Sequence, residues 1–143
     1  MIKVVLDTNL FVAAYWNRRS ASSKIIDACL KGNLQAYYTR QIEKELWLIM
    51  RNIRAKEEFT AKVTNFIGRA ELVENVTRLE ALTEDPDDQK FLECAVTIGA
   101  DYLITSDDHL LRLRSVEGTE IIKPGNFWRD RYADRGISEE SKS

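Results

Sequence analysis

Histidine and cysteine are scarce in this chain. Its 143 residues include one histidine, His109, and two cysteines, Cys29 and Cys94. Two cysteines make no disulfide framework, and a single histidine nearly excludes a Cys/His zinc centre. No GxSxG turn accompanies His109, which argues against a Ser-His-Asp hydrolase. Both cysteines fall in apolar helical patterns and read as buried thiols of a reducing compartment. An excess of one charge is also missing. Lys and Arg number 21 against 23 Asp and Glu, a formal net charge of −2. No basic surplus points to nucleic acid, so any such role needs a local patch. Long apolar runs are absent too: the first strand-like run stops at Asp7, and no later one is long enough to cross a bilayer. A cytoplasmic protein without membrane contact is expected. There is no Walker lysine motif and no GxGxxG, hence no nucleotide cradle. What is present, 44% hydrophobic and 31% charged residues, suits one globular domain with its own core.

The pattern along the chain alternates strands with helices. Ile2 to Leu6 reads as a short buried strand, Ser20 to Leu30 as a helix stopped by Gly32, and Leu34 to Thr39 as a second strand. Between the first strand and that helix lies the first loop, near Tyr15, Trp16, Arg18, Arg19 and Lys24. Gln41 to Arg54 is a helix with Ile42, Leu46, Ile49 and Ile53 on one face, followed by a helix over Glu57 to Ile67 and a short strand over Glu71 to Val76. Asp85 and Pro86 then open a helix that runs to Gly99. Asp101 to Thr105 is a strand, Asp107 to Leu113 a short helix and Thr119 to Ile122 a last strand. This order predicts an α/β fold, a central parallel sheet covered by helices on both faces. After Trp128 apolar periodicity is lost. The expected division is a domain over residues 1–128 and a flexible tail over 129–143.

Acids gather where strands end or helices begin: Asp7 in VVLDTN, Asp85, Asp87 and Asp88 in EDPDDQKFLECA, and Asp107 and Asp108 in YLITSDDHLL. Singly, each aspartate is a capping residue before it is a ligand. Asp88 resists that reading, because at about 100° per residue it shares a face with Phe91, Leu92 and Ala95. A carboxylate heading a buried stripe is costly unless it is paired or metal-bound. Asp87 turns toward solvent and Asp85 takes the N-cap. In the helix over 41–54, Glu45 lies about 70° to one side of the core stripe and Glu43 about 90° to the other, so spacing alone leaves both open. Carboxylates converging in one crevice stay ionised only around a cation. An all-oxygen set selects Mg²⁺ or Mn²⁺ and suits phosphoryl chemistry.

Three segments carry a resemblance. IKVVLDTNLFV, YYTRQIEKELWLIM and DPDDQKFLECAVTIGADYLITSDDHLL, in this order and at these separations, are similar to PIN-domain proteins over Ile2 to about Trp128. The likeness is greatest to toxin components of toxin–antitoxin pairs of the VapC type. It implies a three-layer α/β/α fold and a metal-dependent ribonuclease that leaves a 5′-phosphate and a 3′-hydroxyl. The family's acids fall on Asp7, Glu45, Asp88 and Asp107, which would hold one or two Mg²⁺ or Mn²⁺ ions. Thr8, Asn9, Thr105 and Ser106 would orient them. Asp108 departs from the small or basic residue expected there; an added ligand and a helix cap are the two roles open to it, and the cap is preferred. The resemblance also implies a homodimer and an antitoxin partner. For RNA, Arg18, Arg19, Lys24 and Arg40 are the candidate contacts, with Tyr15 and Trp16 available for stacking. Trp47 and Trp128 read as packing or interface residues.

Two rival readings are weaker. A non-catalytic PIN fold that binds RNA or a partner has no need of the complete acid set. A receiver-type phosphoacceptor would use Lys123, yet no acid pair follows the first strand.

Overall fold

The computed structural model describes residues 1–80 and 85–132. Six strands build one sheet: β1 (Lys3–Leu6), β2 (Gln35–Tyr38), β3 (Glu71–Leu72), β4 (Tyr102–Ile104), β5 (Ser115–Val116) and β6 (Thr119–Ile122). Their spatial order is β3-β2-β1-β4-β6-β5. All pairings are parallel except that of β5 with β6. The expected parallel sheet is therefore present, with one antiparallel edge that the sequence reading did not separate. Glu117 and Gly118, both at positive φ, make the two-residue turn between β5 and β6.

The central strands are apolar on both sides because both sides are covered. Val4 and Leu6 of β1 enter one core, Val5 the other. The first core is closed by α1 (Asn9–Trp16), α2 (Ala21–Leu30), α3 (Arg40–Asn52) and α4 (Glu57–Arg69). The second is closed by α5 (Gln89–Ile98) and α6 (Asp108–Leu111), through Phe91, Leu92, Cys94 and Leu110. Both free thiols are buried, and burial pushes each up to about 12. A final short helix, α7 (Pro124–Asn126), leads into a wide helical turn over Phe127–Tyr132.

Several sequence expectations need correction. Residues 9–16 are helical, not a loop. Leu10, Phe11 and Ala14 are buried there, but the segment is apolar on nearly every face and shows no stripe. The strand expected over 71–76 spans only Glu71–Leu72. The helix expected from Asp85 starts with a single 3₁₀ turn, Pro86–Asp88, and α5 proper begins at Gln89. Asp85 does cap that turn, its Oδ1 accepting from the Asp87 N–H at 2.9 Å. Gly99, at φ 61°, ends α5 as expected. Residues 129–132, read as the start of a flexible tail, are helical. Tyr132 is buried and Trp128 stacks on it at 4.5 Å. The rest of that stretch, 133–143, lies outside the described residues. Among the described residues no helix is long and apolar enough to cross a membrane.

Candidate functional site

Strand register builds the site. Leu6 lies beside Ile104, the Asp7 N–H donates to the Ile104 carbonyl at 3.0 Å, and the Thr105 N–H donates to Ile122 at 3.0 Å. The residues just past β1 and β4 thus sit side by side. From β1 the chain runs out to β2 and β3 and then returns to start β4 on the other side. Ligand crevices form at such a switch point.

Asp7 is buried, and each of its carboxylate oxygens accepts one hydrogen bond. Its Oδ1 accepts from the Asn9 N–H at 3.0 Å and its Oδ2 from the Thr105 hydroxyl at 2.7 Å. The same Thr105 oxygen accepts from the Asp107 N–H at 3.0 Å. Asp107 caps α6, with Oδ1 accepting from the N–H groups of His109 (2.8 Å) and Leu110 (3.2 Å). Asp108, expected as the cap, is instead the exposed first residue of α6. Asp88 stands at the mouth of α5, only 6% exposed, and its Oδ2 has no hydrogen-bond partner. Asp85, Asp88, Asp107 and His109 each bring one donor atom into a group within 4.8 Å of one another.

These charges disturb each other. Burial, followed by the charges of Asp107 and Asp85, raises Asp88 from its ordinary 3.8 to about 7. Burial also raises Asp7; its hydrogen bonds with Asn9 and Thr105 pull the other way, and the charges of Glu45 and Asp107 add to the rise. An orphaned, buried carboxylate oxygen among further carboxylates and one imidazole is a donor set that a divalent cation fits.

Glu45 stands slightly apart. Its Oε1 accepts from the Thr8 hydroxyl at 2.5 Å, and its Oε2 pairs with the Lys90 ammonium at 2.8 Å. Lys90 is itself buried, donates to the Asp87 carbonyl and lies 4.7 Å over the Phe91 ring. Glu43 points elsewhere and pairs with Arg40 at 3.3 Å. Of the four acids expected to converge, Asp88 and Asp107 therefore share the donor group and Asp7 adjoins it. Glu45 faces the crevice across Lys90. Thr8 and Thr105 bond the acids through their hydroxyls, Asn9 through its backbone, and Ser106 is exposed.

The sequence reading missed Lys90 and His109, and placed Asp85 close to the site but assigned it the N-cap. The segment that placed Asp107 also contains His109. Nothing in the pattern around Lys90 marks it as buried.

Of the candidate RNA contacts, only Arg40 is near this crevice. It borders a groove of about 340 Å³ together with Lys90 and Glu93. Eight residues of α1 carry the chain about 12 Å away from Asp7. Arg18 therefore borders a separate groove of about 570 Å³ between α1, α2 and α4, with Tyr15, Trp16, Lys56 and Lys62. Arg19 and Lys24 are exposed near the same α1–α2 turn.

Comparison with known proteins agrees with this architecture. The protein named Uncharacterized protein MJ1680 of Methanocaldococcus jannaschii is 29% identical over 118 residues, covering 79% of this chain and 76% of that protein. A chain in the crystal structure of VapBC2 from Rickettsia felis, bound to a DNA fragment from its promoter, is similar in fold. Its TM-score is 0.59 at 15% identity, over 85% of this chain and 98% of that one. The family model described as PIN domain matches residues 3–109. The chain belongs to the PIN-domain family.

Proposed function

We propose that the protein is a divalent-metal-dependent endoribonuclease, the toxin of a type II toxin–antitoxin pair. The observation that carries this reading is Asp88, buried and with an oxygen left unpartnered beside Asp107 and Asp85 at the crevice of a PIN fold. Asp88 and Asp107, with Asp7 adjoining, would hold Mg²⁺ or Mn²⁺. When bound, such an ion supplies Lewis acidity and counter-charge for hydrolysis of a phosphodiester. The chain's own residues do the rest by position. Thr105 links Asp7 to the Asp107 backbone and so fixes the two strand ends against each other. Thr8 orients Glu45, whose charge Lys90 balances. Arg40, at the rim, is available to a phosphate backbone. Purified protein with Mn²⁺ or Mg²⁺ is expected to cut single-stranded RNA, and Asp7→Asn to abolish cutting with the circular dichroism spectrum retained. Equal cutting by the variant overturns the assignment.

One observation favours a second reading, a PIN-fold module that binds without cutting. The Lys90 ion pair occupies an oxygen of Glu45 that the nuclease reading assigned to metal. Mn²⁺ binding and RNA binding without any cleavage would select this alternative.

The partner proposed is an antitoxin, by likeness to the VapBC2 complex. The groove between α1, α2 and α4 suits it, since Trp16 is 70% exposed there. Growth arrest on induced expression in the bacterial cytoplasm, relieved by the protein encoded alongside, is the expected result.

A further inference from the structure

We propose that His109 is a nitrogen ligand of the metal centre and makes it select Mn²⁺ over Mg²⁺. This rests on the metal reading above and assigns a donor that the four-acid set lacks. The argument begins with geometry. A ring nitrogen of His109 lies within 4.8 Å of carboxylate oxygens of Asp85, Asp88 and Asp107, close enough for one ion to reach all four. Independently, the buried Oδ2 of Asp88 accepts no hydrogen bond, and a bound cation would engage it. The main chain that carries the His109 ring is fixed beside Asp107, because the His109 backbone N–H donates to Asp107 Oδ1 at 2.8 Å. Its Nδ1 lies 3.7 Å from that same oxygen, so the ring and the carboxylate face a common space.

The chemistry of the donors sets the preference. Carboxylates alone suit Mg²⁺ and Mn²⁺ comparably. Mg²⁺ holds to oxygen ligands and sheds water reluctantly, whereas an imidazole is a good donor to first-row transition ions. Three carboxylates and one imidazole therefore favour Mn²⁺.

The composition gives a clean test. His109 is the only histidine in the chain, so an imidazole nitrogen signal from bound Mn²⁺ has one source. Full-length protein loaded with Mn²⁺ is expected to show ¹⁴N modulation in pulsed electron paramagnetic resonance, and His109→Gln to lose it. Calorimetric titration with each ion alone is expected to show Mn²⁺ affinity falling in His109→Gln by about tenfold or more, the scale on which even outer ligand partners act. Mg²⁺ affinity should stay within about twofold. His109→Ala provides a second variant, and the circular dichroism of both is compared with wild type. Bound Mn²⁺ without ¹⁴N modulation in the wild type, or with modulation that survives in both variants, overturns the ligand assignment while leaving the acid centre standing. No Mn²⁺ binding by the wild type overturns both.

Discussion

Among the side chains of the crevice, Asp88 is buried beside Asp107 and Asp85, and that burial is measurable as stability. Below its ordinary pKa of 3.8 the folded and unfolded chains both carry it protonated, and it contributes no difference. Between 3.8 and about 7 only the folded chain keeps the proton, so stability falls steadily as pH rises through that window and stays lower above it. Asp7, raised in the same direction, adds to the slope. The metal-free protein is expected to melt several degrees lower at pH 8 than at pH 5. Asp88→Asn should flatten that dependence, and should also cancel the rise in melting temperature expected of the wild type with Mn²⁺ if the proposed metal centre forms. A slope unchanged by the substitution would show that the burial of Asp88 is not its source. Lys90 and Glu45 form a second residue-scale unit. A buried pair broken on one side leaves a charge uncompensated. Because Glu45 is 30% exposed, the penalty is smaller than for a sealed pair. Lys90→Met, Glu45→Gln and the double variant should give a coupling energy of about 1–2 kcal/mol in urea denaturation.

Among the elements, α3 shows how a short local signal positions a distant group. The Thr39 hydroxyl accepts from the Ile42 N–H at 3.2 Å and fixes the first turn, and Glu45 projects from the next. Thr39→Ala is expected to cost about 1 kcal/mol in denaturant titration, and Thr39→Ser to restore most of it. The Asp85 cap and the ends of β1 and β4 are legible in the sequence, whereas Thr39 reads there only as the end of a strand. The positions of Asp7 and Asp107 follow from the sequence because a buried β-branched run that halts at or just before an aspartate, in an alternating strand–helix order, leaves that aspartate at the carboxyl end of the sheet. α1 was not legible, since NLFVAAYW is apolar almost throughout and carries no periodicity to separate helix from loop. Spacing also left Glu43 and Glu45 equivalent; only packing against Thr8 and Lys90 distinguishes them. Lys90 was invisible for the same reason. A lysine beside two aspartates reads as solvated until tertiary contacts close over it. The meeting of Asp85 with His109 likewise depends on α5 and α6 packing on one sheet face.

Across the molecule, the acid crevice and the α1–α2–α4 groove are separate surfaces, so the proposed cutting and the proposed partner binding can be tested independently. Trp16→Ser should leave RNA cleavage unchanged and weaken capture of the proposed antitoxin by at least tenfold, as loss of a buried aromatic anchor does. Light scattering on the isolated chain is expected to give twice the 16.5 kDa of one chain, and a monomer mass would remove the homodimer from the proposal. The Lys90 ammonium has a wider consequence. A crevice that brings part of its own neutralising charge depends less on the surrounding solution for its assembly. On the proposed metal-dependent reading, starving the cell of manganese or magnesium would silence the protein well before it unravelled it, and an idle, intact pool would stand ready for the ion's return.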